Sequence, residues 1–202
     1  MSVAVVGDDA AANRAVADVI GKSLSYAVLH TPDIIKKATG MSVASIVKEE
    51  GAPALAAVEL QVASELSTQL RSVVSFAGDG VGVAARGSAW RYMFGMFSIW
   101  LDTDPGASEA EAPQRGAYDN AEIRIDLPAA AAMAGDDATP SQVAQAAAAQ
   151  AMRGLKELLR RQSELPRNKA LYIKLGCRGD WPEIQHPDWR NPEDEAAAAE
   201  SA

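Results

Sequence analysis

A chain of 202 residues, 48% of them hydrophobic, fits one domain with a buried core and room for a tail. Its formal net charge of −8 argues against nucleic acid and anionic lipid as partners. The single cysteine excludes an internal disulfide and a cysteine-only zinc site, and with only two histidines we expect no metal. We expect no transmembrane segment, because no run of about 18 apolar residues occurs. No targeting peptide follows Met1, so we expect that the protein stays where it is made or is a mature form.

The first half alternates short apolar runs with helical patterns. The runs predict strands at Val3–Val6, Tyr26–Leu29, Ser72–Phe76 and Phe97–Leu101. Helical spacing predicts helices at Ala11–Lys22, Val43–Glu50 and Ala54–Leu70, and a short helical piece at Trp90–Phe94. In the long helix the buried stripe is predicted to be Leu55, Val58, Val62, Leu66 and Leu70. Between the second strand and Val43, Thr31 is predicted to cap a helix that Gly40 ends.

The second half is less regular. Asp104 to Gln114 is acidic and is expected to be exposed, and the alternation in Ala121–Leu127 predicts a strand near the sheet edge. Ala129–Gly135 is low in complexity. A capping box at Thr139 and Gln142 predicts a helix as far as about Arg161. The run ALYIKL, residues 170–175, predicts a last strand.

Strands that alternate with helices indicate an α/β fold with a largely parallel sheet covered on both faces. We predict a domain over residues 1–162 and a C-terminal extension over 163–192 that packs on or beside it. Residues 193–202 are acidic and rich in alanine, and they are expected to be disordered.

A degenerate phosphate loop follows the first strand. The motif G-x-x-x-x-G-K-[ST] holds phosphates with backbone N–H groups and a lysine, and its hydroxyl holds magnesium. Gly7 occupies the first glycine, but the last three positions are Ala12, Asn13 and Arg14. Asp8 and Asp9 place negative charge where a triphosphate would lie; we favour a role as helix caps over a metal site.

From Lys37 the sequence KATGMSVASIVKEEG, followed by ALAAVELQVASELSTQLRSVVS, resembles shikimate kinase. The resemblance covers about residues 2–102 well and continues weakly to the last long helix. It implies a three-layer P-loop NTPase-like fold of the nucleoside-monophosphate-kinase type. The family phosphorylates shikimate with ATP and magnesium. Residues that match its structural pattern at caps and turns are Gly40, Ser42, Gly51 and Glu59.

The residues that the resemblance assigns to catalysis are replaced. The family's Asp-x-Asp, which binds magnesium and shikimate, corresponds to His30–Pro32. The arginine that clamps the shikimate carboxylate corresponds to Ala56, and the Gly-Gly-Gly after the third strand corresponds to Ala77–Asp79. The lid is replaced by Asp104–Gln114, and Arg115 matches the second substrate arginine only with a shifted spacing. The resemblance therefore implies that neither ATP nor shikimate binds in the family's way.

The segment LYIKLGCRGDWPEIQHPDW resembles the C-terminal segment of the inactive shikimate-kinase-like proteins of chloroplasts. We therefore predict a non-catalytic scaffold or interaction subunit in the chloroplast stroma, without catalytic residues, cofactor or metal. Its partners are expected to be proteins, as part of a larger plastid assembly. The expected contact residues, chosen because aromatics and arginine dominate binding hot spots, are Arg178, Trp181, Trp189 and Arg190.

Other interpretations stay open at this point. Arg14, Asp79, Arg115 and Cys177 could form a rebuilt enzyme site if they converge on one open pocket. A small-ligand sensor would need an open pocket but no reactive pair. His30 is either a base or a polar residue at a strand end, and Trp181 and Trp189 could instead pack on the domain.

Overall fold

The structure is a computed structural model, and it describes residues 1–78, 80–107 and 115–175. Five parallel strands form one sheet in the order β2-β3-β1-β4-β5. They are β1 (Val3–Gly7), β2 (Ala27–His30), β3 (Ser72–Ser75), β4 (Phe97–Asp102) and β5 (Ile123–Asp126). The central strands β1, β3 and β4 are buried along their whole length, as expected for a parallel sheet covered on both faces. The predicted fold class is confirmed, and β5 lies at the predicted edge.

Helices cover the two faces of this sheet. In chain order they are α1 (Ala10–Leu24), α2 (Thr31–Thr39), α3 (Val43–Glu50), α4 (Ala52–Leu66), α5 (Trp90–Met93), α6 (Arg115–Tyr118), α7 (Leu127–Ala134), α8 (Pro140–Arg161) and α9 (Leu165–Lys174). One apolar core joins α1, α7 and α8 to the sheet, and a second joins α4, α5 and α6 to the other face. None of these helices is long and apolar enough to cross a membrane.

Most of the predicted caps are confirmed. Asp9 and Ser42 accept bonds from the first turns of α1 and α3, and Gly40 and Gly51 end α2 and α3 with positive φ angles of 77° and 90°. Thr139 and Gln142 form the capping box of α8.

Thr31 does not cap α2. It is the first residue of that helix, and His30 occupies the cap position, although its side chain makes no hydrogen bond to the first turn of α2. The Thr31 hydroxyl instead donates to the buried carboxylate of Glu59.

Two element predictions are wrong. Residues 170–174 form the end of helix α9 and not a strand, and Leu175 is its C-cap; Lys169 and Tyr172, three residues apart, are buried on one helix face. Helix α4 ends at Leu66, and Leu70 is 61% exposed, since the chain leaves the helix before the predicted stripe is complete. In the low-complexity run the structure adds α7, which Asp126 caps by accepting from the Ala129 N–H.

Candidate functional site

The phosphate-loop position lies at the carboxyl end of β1, where the chain passes from Gly7 into α1. A phosphate cradle needs several loop residues outside the helix, with their N–H groups free to point at the ligand. Here α1 already begins at Ala10, and the Asp9 carboxylate accepts from the Ala12 N–H at 2.9 Å. The Asn13 N–H donates to the Asp9 carbonyl at 2.9 Å. The residues that would wrap a phosphate are therefore coiled into the first helical turn.

Asn13, at the position of the phosphate-binding lysine, is fully buried. Its Nδ2 donates to the carbonyl of Gly7 at 2.8 Å and to that of Phe76 at 3.3 Å, which ties β1 to the end of β3. Its Oδ1 accepts no hydrogen bond from any described residue. The loop after β3 closes over this point, because a Cβ at Gly78 would collide with the backbone of Asp8 and Ala10. The side chain of Asn13 thus points into the protein and not toward a ligand.

Glu59 on α4 lies where the second and third strands end, and it is fully buried. Its carboxylate accepts from the hydroxyl of Thr31, from the Ala77 N–H at 2.8 Å and from the Val83 N–H at 2.6 Å. Burial raises the pKa of Glu59, and the three hydrogen bonds oppose that rise. This carboxylate connects α4 to α2 and to the chain after β3, so its role is to hold these segments together.

His30 lies between a carboxylate and a hydroxyl. Its Nε2 is 3.2 Å from the Asp18 carboxylate and its Nδ1 is 2.7 Å from the Ser75 hydroxyl. The same three residue types form the triad of serine hydrolases. Ser75, however, is only 2% exposed, so a substrate would not reach its hydroxyl. The arrangement fits the predicted polar residue at a strand end better than a catalytic base.

A second polar cluster surrounds Asp102 at the carboxyl end of β4. Arg115 makes two hydrogen bonds of 3.0 Å to its carboxylate, and the Nε of Arg124 makes one of 2.8 Å. Both guanidinium groups lie over the ring of Trp100, at 4.9 and 4.7 Å from its centroid. Burial alone would raise the pKa of Asp102, but the two arginines lower it below its usual value.

Tyr118 joins this second cluster to the phosphate-loop position. Its ring stacks on Trp100 at 5.6 Å, and its hydroxyl donates to Asp8 at 2.9 Å. Tyr118 therefore links the ends of β1 and β4 through side-chain contacts.

The residues of the rebuilt-enzyme interpretation do not converge within the described part of the chain. Arg14 pairs with Asp33 at 2.6 Å on the surface, and its hydrogen bond lowers the pKa of Asp33. Arg115 pairs with Asp102 instead. Asp79 and Cys177 lie outside the described residues, as do the expected contact residues Arg178, Trp181, Trp189 and Arg190.

One cavity, of 360 Å³, opens between α1 and α8 beside the phosphate-loop position. Its lining is almost entirely small and apolar, with Ala12, Ala15, Leu127 and Val143 among the residues that form it. The carboxylate of Asp9 stands at its edge and is already engaged as the cap of α1. The space suits an uncharged apolar molecule and offers no cation for a phosphate.

Helix α9 is anchored at the amino ends of β4 and β5, opposite to the phosphate-loop position at the carboxyl ends of the strands. Lys169 is 2% exposed, and its Nζ donates to the carbonyls of Phe94 at 2.6 Å and Met96 at 2.8 Å and pairs with Glu122. Burial lowers the pKa of Lys169, and the Glu122 charge opposes that change. Tyr172, also buried, donates to the Arg91 carbonyl at 2.8 Å. The extension therefore begins with a helix that is part of the folded domain.

Sequence reasoning missed Asp102, Arg124 and Lys169. Asp102 directly follows a buried run, and a carboxylate at the end of a parallel strand is a recognisable signal. Lys169 gives no such signal, because a lysine is expected to be exposed unless a charged partner is known, and its partner Glu122 is distant in sequence.

The shikimate kinase family model matches residues 11–115, more than half of the chain. A protein of Arabidopsis thaliana named "Probable inactive shikimate kinase like 2, chloroplastic" is 30% identical over 197 residues, covering 93% of this chain and 49% of that protein. "Shikimate kinase 2, chloroplastic" of Oryza sativa is 29% identical over 176 residues, covering 69% of this chain and 56% of the relative. The chain thus spans about half the length of the curated relatives it matches.

Solved structures are similar in fold at low sequence identity. Shikimate kinase from Aquifex aeolicus gives a TM-score of 0.59 at 17% identity and covers 78% of this chain and 97% of its own. Shikimate kinase from Bacteroides thetaiotaomicron gives 0.56 at 12% identity, with 81% and 98% covered. Identities this low support the fold alone.

Proposed function

The chain belongs to the shikimate kinase family, and from that premise we propose that it is a non-catalytic member that works through protein contacts in the chloroplast stroma. The phosphate-loop position carries this proposal. Its residues are helical from Ala10, and the side chain at the lysine position, Asn13, is engaged by two backbone carbonyls. A lysine–phosphate contact is charge-assisted, and a neutral amide that is turned away cannot replace it.

The other catalytic positions of the family support the same proposal. Where the family has carboxylates for magnesium, Thr31 donates to Glu59 and His30 is held by Ser75. Where the family has the substrate-clamping arginine, Ala56 is a buried core residue. Each of these groups contributes to packing, so restoring one residue would not recreate a site.

Localisation and inactivity are proposed for this chain by analogy with its relatives. The Arabidopsis relative carries "probable inactive" and "chloroplastic" in its name, and the rice relative is also named chloroplastic. For the contact surface we keep the expected residues of the extension, Arg178, Trp181, Trp189 and Arg190. A pull-down from plastid extract with and without residues 176–202 would identify the protein partner.

Calorimetry tests the absence of catalysis directly. The protein is titrated with ATP, ADP and shikimate at millimolar concentration, with and without magnesium, and an active shikimate kinase serves as the positive control. We expect no heat of binding above the dilution blank. Magnesium-dependent binding of ATP would disprove the proposal.

A second candidate is a small-ligand sensor, and the 360 Å³ cavity beside α1 and α8 favours it. Its apolar lining would select an uncharged molecule over a nucleotide. The test is a thermal-shift screen of apolar fragments against the protein and an Ala15→Leu variant, in which the larger side chain fills the cavity. A shift present in the parent and absent in the variant would support a sensor.

A further inference from the structure

The exposed face of α8 changes from neutral to basic along its length. Five residues at spacings of three or four form one exposed stripe: Gln145, Ala149, Arg153, Lys156 and Arg160. The first two are uncharged and the last three are cations; we call Arg153, Lys156 and Arg160 the basic row. At about 1.5 Å of rise per residue the row spans roughly 10 Å of the helix. It lies in a chain whose net charge is −8.

The nearby acidic residues neutralise the basic row only in part. Glu157 pairs with Arg161 at 3.7 Å, and Glu164 pairs with Arg167 at 3.5 Å. Within residues 1–78, 80–107 and 115–175 no ion pair or hydrogen bond engages the side chains of the row. Like charges three and four residues apart on a helix repel one another. Glu157 lies four residues after Arg153 and three before Arg160, so it offsets part of this repulsion. Residues 153–161 still hold four cations against one carboxylate, and a further carboxylate would be attracted to them.

The helix macrodipole explains only part of the row. Cations are favourable in the last turn of a helix, and the effect falls off beyond it. Arg160 lies in the last turn of α8, which ends at Arg161, whereas Arg153 and Lys156 lie one to two turns earlier. Dipole compensation therefore accounts for Arg160 and leaves the other two cations unexplained.

We propose that the basic row is a docking surface for a short acidic protein segment, with carboxylates spaced along one face of a helix or turn. This rests on the proposed function, since it names the chemistry of the partner. Electrostatic interactions beyond a Debye length of about 8–10 Å are screened, so a short acidic segment bound at the row interacts mainly with the cations of the row. A nucleic acid or an anionic bilayer extends past the row and meets the acidic remainder of the chain, which opposes binding.

Fluorescence anisotropy with defined probes tests the docking surface. The probes are a labelled 12-residue helix-forming peptide with glutamates four residues apart, a single-stranded oligonucleotide of equal charge, and vesicles with 30% anionic lipid. They are titrated with the full chain at low and physiological salt. The test variant is Arg153→Gln, Lys156→Gln, Arg160→Gln, which makes the whole stripe neutral. The control is Lys36→Gln, Lys37→Gln, Lys48→Gln, which makes the same charge change at exposed lysines of α2 and α3.

We expect the peptide to bind the parent chain more tightly than either other probe does. The row variant should lose about tenfold in affinity, equivalent to about 1.4 kcal/mol, while the control loses less than about twofold. Equal losses in both variants, no peptide binding, or preference for the oligonucleotide or vesicles would overturn the proposal. These outcomes leave the calorimetry with ATP unaffected, so a failure of the docking surface is distinguishable from a failure of the proposed function.

Discussion

At the scale of single residues, polar side chains near the phosphate-loop position hold the backbone together. Asn13, Glu59 and Asp102 are each almost fully buried, and each bonds to segments distant in sequence. A buried polar group without a partner costs about 1–3 kcal/mol, and among the described residues only the Oδ1 of Asn13 is a buried polar side-chain atom without one. These residues therefore stabilise the domain in the place where a kinase would leave polar groups free for substrate.

Restoring the motif residues should not restore nucleotide binding. The triple variant Ala12→Gly, Asn13→Lys, Arg14→Ser recreates the sequence of a phosphate loop, but α1 still begins at Ala10 and Gly78 still packs on Asp8. We expect no magnesium-dependent ATP binding by calorimetry. A Kd for ATP below about 1 mM in the triple variant would contradict this account.

The hydrogen bonds of Asn13 should contribute to stability. The Asn13→Ala variant should lose about 2 kcal/mol of the free energy of unfolding, measured in urea, because two buried carbonyls lose their donor.

Asp102 should make stability depend on pH. Its pKa is lowered in the folded state, so its contribution is complete above the unfolded value of about 3.9 and is lost as pH falls through the folded value. Asp102→Asn should cost about 3 kcal/mol at pH 7, since Arg115 and Arg124 lose their partner. The difference in the free energy of unfolding between this variant and the parent should begin to shrink as pH falls below about 4, as measured by urea unfolding. Asp137→Asn, on an exposed loop residue, is the control; an Asp102→Asn penalty that does not change with pH would refute the assignment.

At the scale of elements, the sequence predicts the sheet well and α9 poorly. Strands β1 to β5 all lie within or beside predicted segments. The buried strands β1, β3 and β4 contain continuous apolar runs, whereas β5 shows the alternation of a strand at the sheet edge. The six residues of ALYIKL are too short for periodicity to separate strand from helix, and the buried partners of Lys169 are distant in sequence. Burial of a charge depends on tertiary contacts, which a local pattern does not contain.

In the candidate site too, the sequence shows which residues are replaced but not the tertiary contacts that those residues make. Loss of the lysine at position 13 is visible in the sequence, and so is the cap at Asp9. The inward orientation of Asn13 depends on the chain after β3, 63 residues away. The three hydrogen bonds at Glu59 come from Thr31 on α2 and from Ala77 and Val83 after β3, all more than 15 residues away. What the sequence shows is which catalytic groups are missing, while the contacts that replace them follow only from the fold.

Helix α9 should depend on one buried lysine. Lys169→Met removes the cation that pairs with Glu122 and the donor to two carbonyls, so we expect a loss of about 3 kcal/mol in urea unfolding. Lys174→Met, on an exposed residue of the same helix, should change stability by less than about 0.5 kcal/mol. Combining Lys169→Met with Glu122→Gln should recover part of the loss. If the two single variants behave alike, the ion pair does not hold the helix.

At the scale of the whole molecule, the phosphate-loop position and helix α9 lie at opposite ends of the parallel strands. The phosphate-loop position lies at the carboxyl ends of the strands, where Asp8, Asn13 and Asp102 are found. Helix α9 is held at the amino ends of the strands, because Lys169 contacts Met96 just before β4 and Glu122 just before β5. The first helix of the extension thus lies at the end of the sheet opposite to the phosphate-loop position.

Truncation separates the folded domain from the interaction segment. The chain cut after Leu175 keeps Lys169 and Tyr172, so its free energy of unfolding should stay within about 1 kcal/mol of the full chain while protein partners are no longer recovered. The chain cut after residue 162 loses both buried side chains and exposes Phe94, so it should lose at least about 4 kcal/mol. Circular dichroism during urea unfolding measures both. A stable 1–162 fragment would place α9 outside the core, and an unfolded 1–175 fragment would show that residues 176–202 complete the domain and do not serve as a separate contact surface.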